Sequence, residues 1–188
     1  MWPHTVAILM GGQSKRMGIP KHEAVLPSGC TMMDAMLIFA GMVATNVVVV
    51  GGDITGQRCL HDLHPDSGPV GGIETLLMSD LDERYLVVGC DMPMLEPETV
   101  RQLFIVGHAI VFSKHPSDMF PSSLPLVISS SCRGACSSYL ASGRRSLHGF
   151  LDELSCEIVP QPSGAEEQLS SINTIDQLNN CTFEQGRS

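Results

Sequence analysis

The sequence predicts an α/β protein, a three-layer α/β/α sandwich around a mostly parallel sheet, and three observations predict it. Short β-branched runs recur as "TVAIL", "NVVVV", "YLVVG" and "AIVF". They lack the polar alternation of a strand with one wet face, so helices should cover both sides of the sheet. Between them lie segments with helical spacing, "TMMDAMLIFAGMVA" and "GGIETLLMSDL". The chain has 188 residues, 43% of them hydrophobic, which is enough for one core with the usual right-handed crossovers.

In chain order, "TVAIL" opens as the first strand and runs into "LMGGQSKRMGIPK". Helix, "NVVVV" strand, the glycine-bearing "HDLHPDSGPVGGIETLL" and the "YLVVG" strand follow, and then "CDMPML". Past Phe112, "SKHPSDMFPSSLPLVISSSC" reads as a Ser- and Pro-rich loop leading to a strand around Leu126 to Ile128. Helices are expected at about Arg133 to Ala141 and Ser146 to Leu154. "SINTIDQLN" reads as a strand end and a helix with Thr174 as N-cap. The expected organisation is one domain over 1–188, with a first part at about 1–112, a second at about 113–180 and a flexible tail at about 181–188.

The net charge of -9 excludes broad nucleic-acid binding, which needs a positive field over many phosphates, and leaves room for a small anion. Seven scattered cysteines (Cys30, Cys59, Cys90, Cys132, Cys136, Cys156 and Cys181) form no CxxC pair, so reduced thiols are expected and no structural zinc. His4, His22, His61, His64, His108, His115 and His148 show no metal-ligand spacing. The apolar opening Val6 to Met10 is too short to span a bilayer and has no basic flank, so a cytoplasmic protein with no membrane partner is expected.

Ligands of open α/β sheets bind beyond the carboxyl ends of the strands, where "LMGGQSKRMG" sits. Gly11 and Gly12 remove the Cβ atoms that keep backbone N–H groups from a ligand, while Lys15, Arg16 and Lys21 supply charge for phosphate oxygens. The loop therefore reads as a polyphosphate cradle; the alternative is a tight turn with solvated cations. Neither GxxxxGK[ST] nor GxGxxG is present, which disfavours a P-loop NTPase or a dinucleotide-binding dehydrogenase. Asp91 follows the strand Tyr85 to Gly89 and lands at the same edge. Facing a polyphosphate, it suits Mg²⁺, which takes few carboxylates plus phosphate oxygens; the alternative is a cap before Pro93. Gly68, Gly71 and Gly72 are read as permitting close backbone approach before a helix, or as a plain helix start.

Together, "LMGGQSKRMGIPK", "GPVGGI", "CDMPML" and "INTIDQL" resemble the molybdenum cofactor guanylyltransferase family, whose pattern runs LAGGxSxRMGxxK, GPxxGI, CDxP and NxNTPEDL, over about residues 5 to 180. "ASGRRSLHGFLDEL" is similar to that family's helix pair after the central sheet. The resemblance implies a sheet of the nucleotide-diphospho-sugar transferase type and a nucleotidyltransferase that joins GMP from GTP to the phosphate of molybdopterin, releasing pyrophosphate. It implies Mg²⁺ as cofactor, and cofactor-supplying or recipient proteins of the molybdoenzyme pathway as partners. Carried over by position, Leu9, Met10, Gly11, Gly12 and Lys21 lie on the nucleotide, Asp91 holds magnesium, and Arg16 and Lys21 stabilise charge. Asp62 or Asp66 contacts the nucleotide, Asp62 being preferred, and Asn173 lies toward the acceptor. Departures are Met10 for alanine, Pro20 for a frequent aspartate, Val50 or Gly51 where an asparagine can meet the base, and Ser171 and Ile175 in the closing motif. Attack by an already ionised phosphate needs no general base. Cytidylyl transfer from CTP and a non-catalytic nucleotide-binding role are the alternatives.

Overall fold

The β-branched runs become strands because a pleated, doubly covered surface suits their stiff side chains. The computed structural model describes residues 4–10, 17–115 and 120–181. Among them are seven strands: β1 Thr5–Leu9, β2 Asn46–Val50, β3 Arg58–Leu60, β4 Arg84–Gly89, β5 Ala109–Ser113, β6 Pro121–Ser129 and β7 Glu157–Val159. They form one sheet in the order β3-β2-β1-β4-β6-β5-β7. Every neighbouring pair is parallel except those made by β6, which runs against both β4 and β5. In the β1 and β4 register Leu9 lies opposite Gly89, so both carboxyl ends finish level.

The side chains divide by the strand period of two. Ala7, Leu9, Val48, Val50, Tyr85 and Val87 face one layer, where Ile73, Leu76, Tyr139 and Phe150 meet them from α2 (Gly68–Met78), α4 (Arg133–Ala141) and α5 (Leu147–Glu153). Val6, Ile8, Val49, Leu86 and Val88 face the other, against Met33, Met36 and Phe39 of α1 (Met32–Val43) and Val100 of α3 (Pro97–Arg101). This is the expected three-layer sandwich. α1 begins with a capping box in which Thr31 accepts from the Asp34 N–H and Asp34 reaches back to the Thr31 N–H. A third, smaller cluster joins Met17, Leu26 and Met32 to Ile172 and Leu178, the latter on α6 (Ile175–Asn179), and so ties the C-terminal segment to the chain that leads into α1.

Three expectations are corrected. The strand expected around Leu126 to Ile128 already begins at Pro121, because the Ser-rich stretch pairs with β5 through Ser113 opposite Pro121. No strand ends at Ser171–Asn173, which is irregular chain, although Thr174 does cap α6 with a capping box through Gln177. Gly71 and Gly72 are buried inside α2; a Cβ on Gly72 would stand 3.3 Å from Leu9 Cδ2 and 3.4 Å from Val50 Cγ1. Their bareness lets the helix close on the sheet.

Candidate active site

Leu9 ends β1 and Met10 follows it; the Met10 N–H donates to the Val50 carbonyl at 2.8 Å, and the Cys90 N–H to the Leu9 carbonyl at 3.1 Å. Gly11, Gly12, Lys15 and Arg16 lie outside the described residues. Lys21 sits on a short 3-10 turn, Lys21–Glu23, after the proline at position 20. Its ammonium donates to Asp91 Oδ2 and to Asn173 Oδ1, each at 2.6 Å. Lys21 and Asp91 side chains keep 17% and 20% of their surface open, so the pair is dry enough to be firm and open enough to meet a ligand.

Asp91 follows β4 in a turn and caps no helix. Its carbonyl accepts the Ile172 N–H at 2.8 Å, which pins the C-terminal segment beside it. Asn173 is held in turn: its N–H donates to Gln177 Oε1 at 2.7 Å, and its amide nitrogen to the Ser171 carbonyl at 3.1 Å. Lysine, aspartate and asparagine thus converge from three distant stretches of chain at one edge. A Cβ on Gly89 would approach Asp91 Oδ1 to 2.5 Å, so only glycine leaves that carboxylate where it is.

Asp62 and Asp66 separate cleanly. Asp66 is exposed, with φ 63°, on the turn before α2. Asp62 is half-buried, about 3.5 Å from where a Cβ of Gly51 would be, and its buried Oδ1 has no hydrogen bond among the described residues. Burial raises its carboxyl above the usual range, with His61 opposing weakly. Val50 is core, and the Gly51 N–H already donates to the Leu60 carbonyl at 2.9 Å, which removes that N–H as a base contact.

Cys90, beside Asp91, is no nucleophile: burial pushes its thiol up to about 12, Asp91 adds to this, and Lys21 opposes it. Among the described residues no three His, Cys, Asp or Glu side chains gather as a metal cluster, and no helix is long and apolar enough to cross a membrane. A cleft of about 370 Å³ opens from Leu9, Gly89 and Asp91 toward Lys114, Ser122, Ser123 and His148. Lys114, Ser122 and Ser123 lie in the Ser- and Pro-rich stretch read only as loop, and His148 lies in "ASGRRSLHGFLDEL", where no site role was assigned to it.

The MobA-like NTP transferase domain model matches residues 6–158. A molybdenum cofactor guanylyltransferase of Xanthomonas euvesicatoria pv. vesicatoria is 29% identical over 97% of this chain and 96% of its own. The crystal structure of molybdopterin-guanine dinucleotide biosynthesis protein A from Archaeoglobus fulgidus superposes with a TM-score of 0.78 at 23% identity, covering 93% of this chain and 94% of that one. The 2-C-methyl-D-erythritol 4-phosphate cytidylyltransferase of Thermus thermophilus shares the fold, with a TM-score of 0.67 at 14% identity over 92% and 94% of the two chains. With the edge-on site, the sheet order and a family match over most of its length, the chain belongs to the MobA-like NTP transferase domain family and is a nucleotidyltransferase.

Proposed function

We propose that this chain acts in molybdenum cofactor biosynthesis, transferring GMP from GTP to the phosphate of molybdopterin. One observation carries the reading: the Lys21 ammonium held between Asp91 and Asn173 at the carboxyl edge of β1 and β4. An acceptor phosphate oxygen bonds to the α-phosphorus while the α–β bridging bond breaks, and pyrophosphate leaves with the electron pair. The attacking oxygen is already ionised, so the residues supply position and charge instead of taking a proton. Lys21 would meet charge on the phosphates, held in place by its two oxygen partners. Asp91 would hold Mg²⁺, since Lys21 engages only one of its two carboxylate oxygens. A single carboxylate suits an ion that keeps most of its sites for water and phosphate oxygens. When bound, Mg²⁺ supplies charge neutralisation on the triphosphate. Leu9, Met10, Gly11, Gly12, Gly51 and Asp62 would line the nucleotide, Arg16 would add charge, and Asn173 would stand where nucleotide and acceptor meet. The base remains the least furnished part, since the Gly51 N–H is taken; that observation keeps CTP as the second reading.

The reading is tested by incubating the protein with Mg²⁺, molybdopterin and each nucleoside triphosphate and weighing the product. Guanine brings N1–H and N2–H₂ donors, and a pocket shaped to them leaves groups unpaired with cytosine or adenine. GTP at a hundredfold excess over its dissociation constant should add about 2.7 kcal/mol of stability, with CTP and ATP adding far less. A melting shift as large with CTP would move the assignment to cytidylyl transfer.

A further inference from the structure

The cleft has two sides, and only one of them belongs to the nucleotide machinery. Its far wall is built by Lys114 after β5, Ser122 and Ser123 on β6, and His148 on α5. Ser122 Oγ is buried and has no hydrogen bond among the described residues. A hydroxyl left dry and unpaired in a cleft wall is costly unless a ligand completes it. Ser123 Oγ lies 3.1 Å from His148 Nδ1 and 3.2 Å from its Nε2, which ties the imidazole to the wall. Lys114 has no acidic partner among the described residues, in a chain whose net charge is -9. Local cationic and hydroxyl donors in an otherwise negative molecule mark an anion site.

In-line displacement places the entering phosphate and the departing pyrophosphate on opposite sides of the α-phosphorus, so two anions need separate holders. Lys21, held by Asp91 and Asn173, stands on the nucleotide's side of the cleft in the reading above. Resting on the transferase reading above, we infer that Lys114, Ser122 and His148, with Ser123 as the positioning residue, form the subsite that holds the phosphate monoester of the acceptor.

The test is steady-state transfer with GTP and molybdopterin varied in turn, for wild type, Lys114→Ala, Lys114→Arg, Ser122→Ala and His148→Gln. Lys114 and His148 are exposed, so their substitution leaves the fold intact. The expected result is a KM for molybdopterin raised about tenfold in Lys114→Ala and His148→Gln and about threefold in Ser122→Ala. The GTP KM and kcat should stay within about twofold, with Lys114→Arg near wild type. A raised GTP KM, or altered inhibition by pyrophosphate, with the molybdopterin KM unmoved would assign the wall to the nucleotide's own phosphates and overturn the inference. A second arm uses methyl phosphate followed by ³¹P NMR, with GMP present. Broadening in wild type that is lost in Lys114→Ala supports the subsite even if no transfer to molybdopterin occurs, which would remove the reading it rests on. Equal broadening in both, or none in wild type, overturns it.

Discussion

At the scale of single residues, Asp91 is a carboxylate paired with the Lys21 ammonium, and in the proposed reaction the same charge would also hold Mg²⁺. Asp91→Asn keeps its shape and loses that charge, and should cut transfer by about 10³-fold with the fold unchanged by circular dichroism. Lys21→Ala should lower kcat by about 10²-fold, roughly 3 kcal/mol of transition-state stabilisation. A rate equal to wild type would leave that lysine only a structural tie between Asp91 and Asn173. Asp62 behaves oppositely, since burial raises its pKa and its ionisation opposes folding. That penalty is absent below the unfolded-state pKa of about 4 and fully present above the folded value. Asp62→Asn should therefore melt about 1–3 °C higher than wild type at pH 7 and show no gain near pH 3, while the shift produced by GTP shrinks. Scanning calorimetry at the two pH values reads both effects.

At the scale of elements, β1, β2, β4 and β5 were legible in the sequence because each is a dense β-branched run, and α1 because "TMMDAMLIFAGMVA" carries helical spacing. β3 and β7 were not: each is three residues long, with exposed Arg58 and Glu157 at the edges of the sheet, where pairing and not composition makes the strand. Of β6 only the Leu126 to Ile128 part was legible; its start at Pro121 and its antiparallel direction were not, since Ser122 and Ser123 carry no strand preference and are drawn in by β5. The site divides in the same way. Lys21 and Asp91 were legible from motifs, whereas the wall made by Lys114, Ser122 and His148 depends on tertiary placement alone. Strand geometry also makes a prediction. Gly89→Ala puts a methyl 2.5 Å from Asp91 Oδ1, and the short side chain, pinned by Lys21 through Oδ2, must swing away. Turnover should fall at least tenfold while the melting temperature moves by only a few degrees, about 1 kcal/mol in a domain of this size.

Across the whole molecule, the sheet and the site are stabilised by different parts of the chain. The two main apolar layers involve few residues past Leu154, whereas Ile172 and Leu178 complete the third cluster and Asn173 completes the lysine's shell. Removing residues 161–188 should leave most of the far-ultraviolet signal of the sheet and abolish transfer, with a loss of about 2–5 kcal/mol from the uncovered Met17, Leu26 and Met32. Urea unfolding of the shortened chain measures the second quantity.

The bond from Lys21 to Asn173 spans 152 residues, and it sets an order of events in the cell. A ribosome adding about 5–20 residues per second presents the lysine roughly 8–30 s before the asparagine exists. During that interval β1, β2 and β4 can already pair, so the nascent chain carries a nucleotide edge with no closed catalytic corner. On the proposed reaction, turnover would wait until the segment around Asn173 emerges, and a chain stalled or clipped before that residue should carry the paired strands without the closed corner.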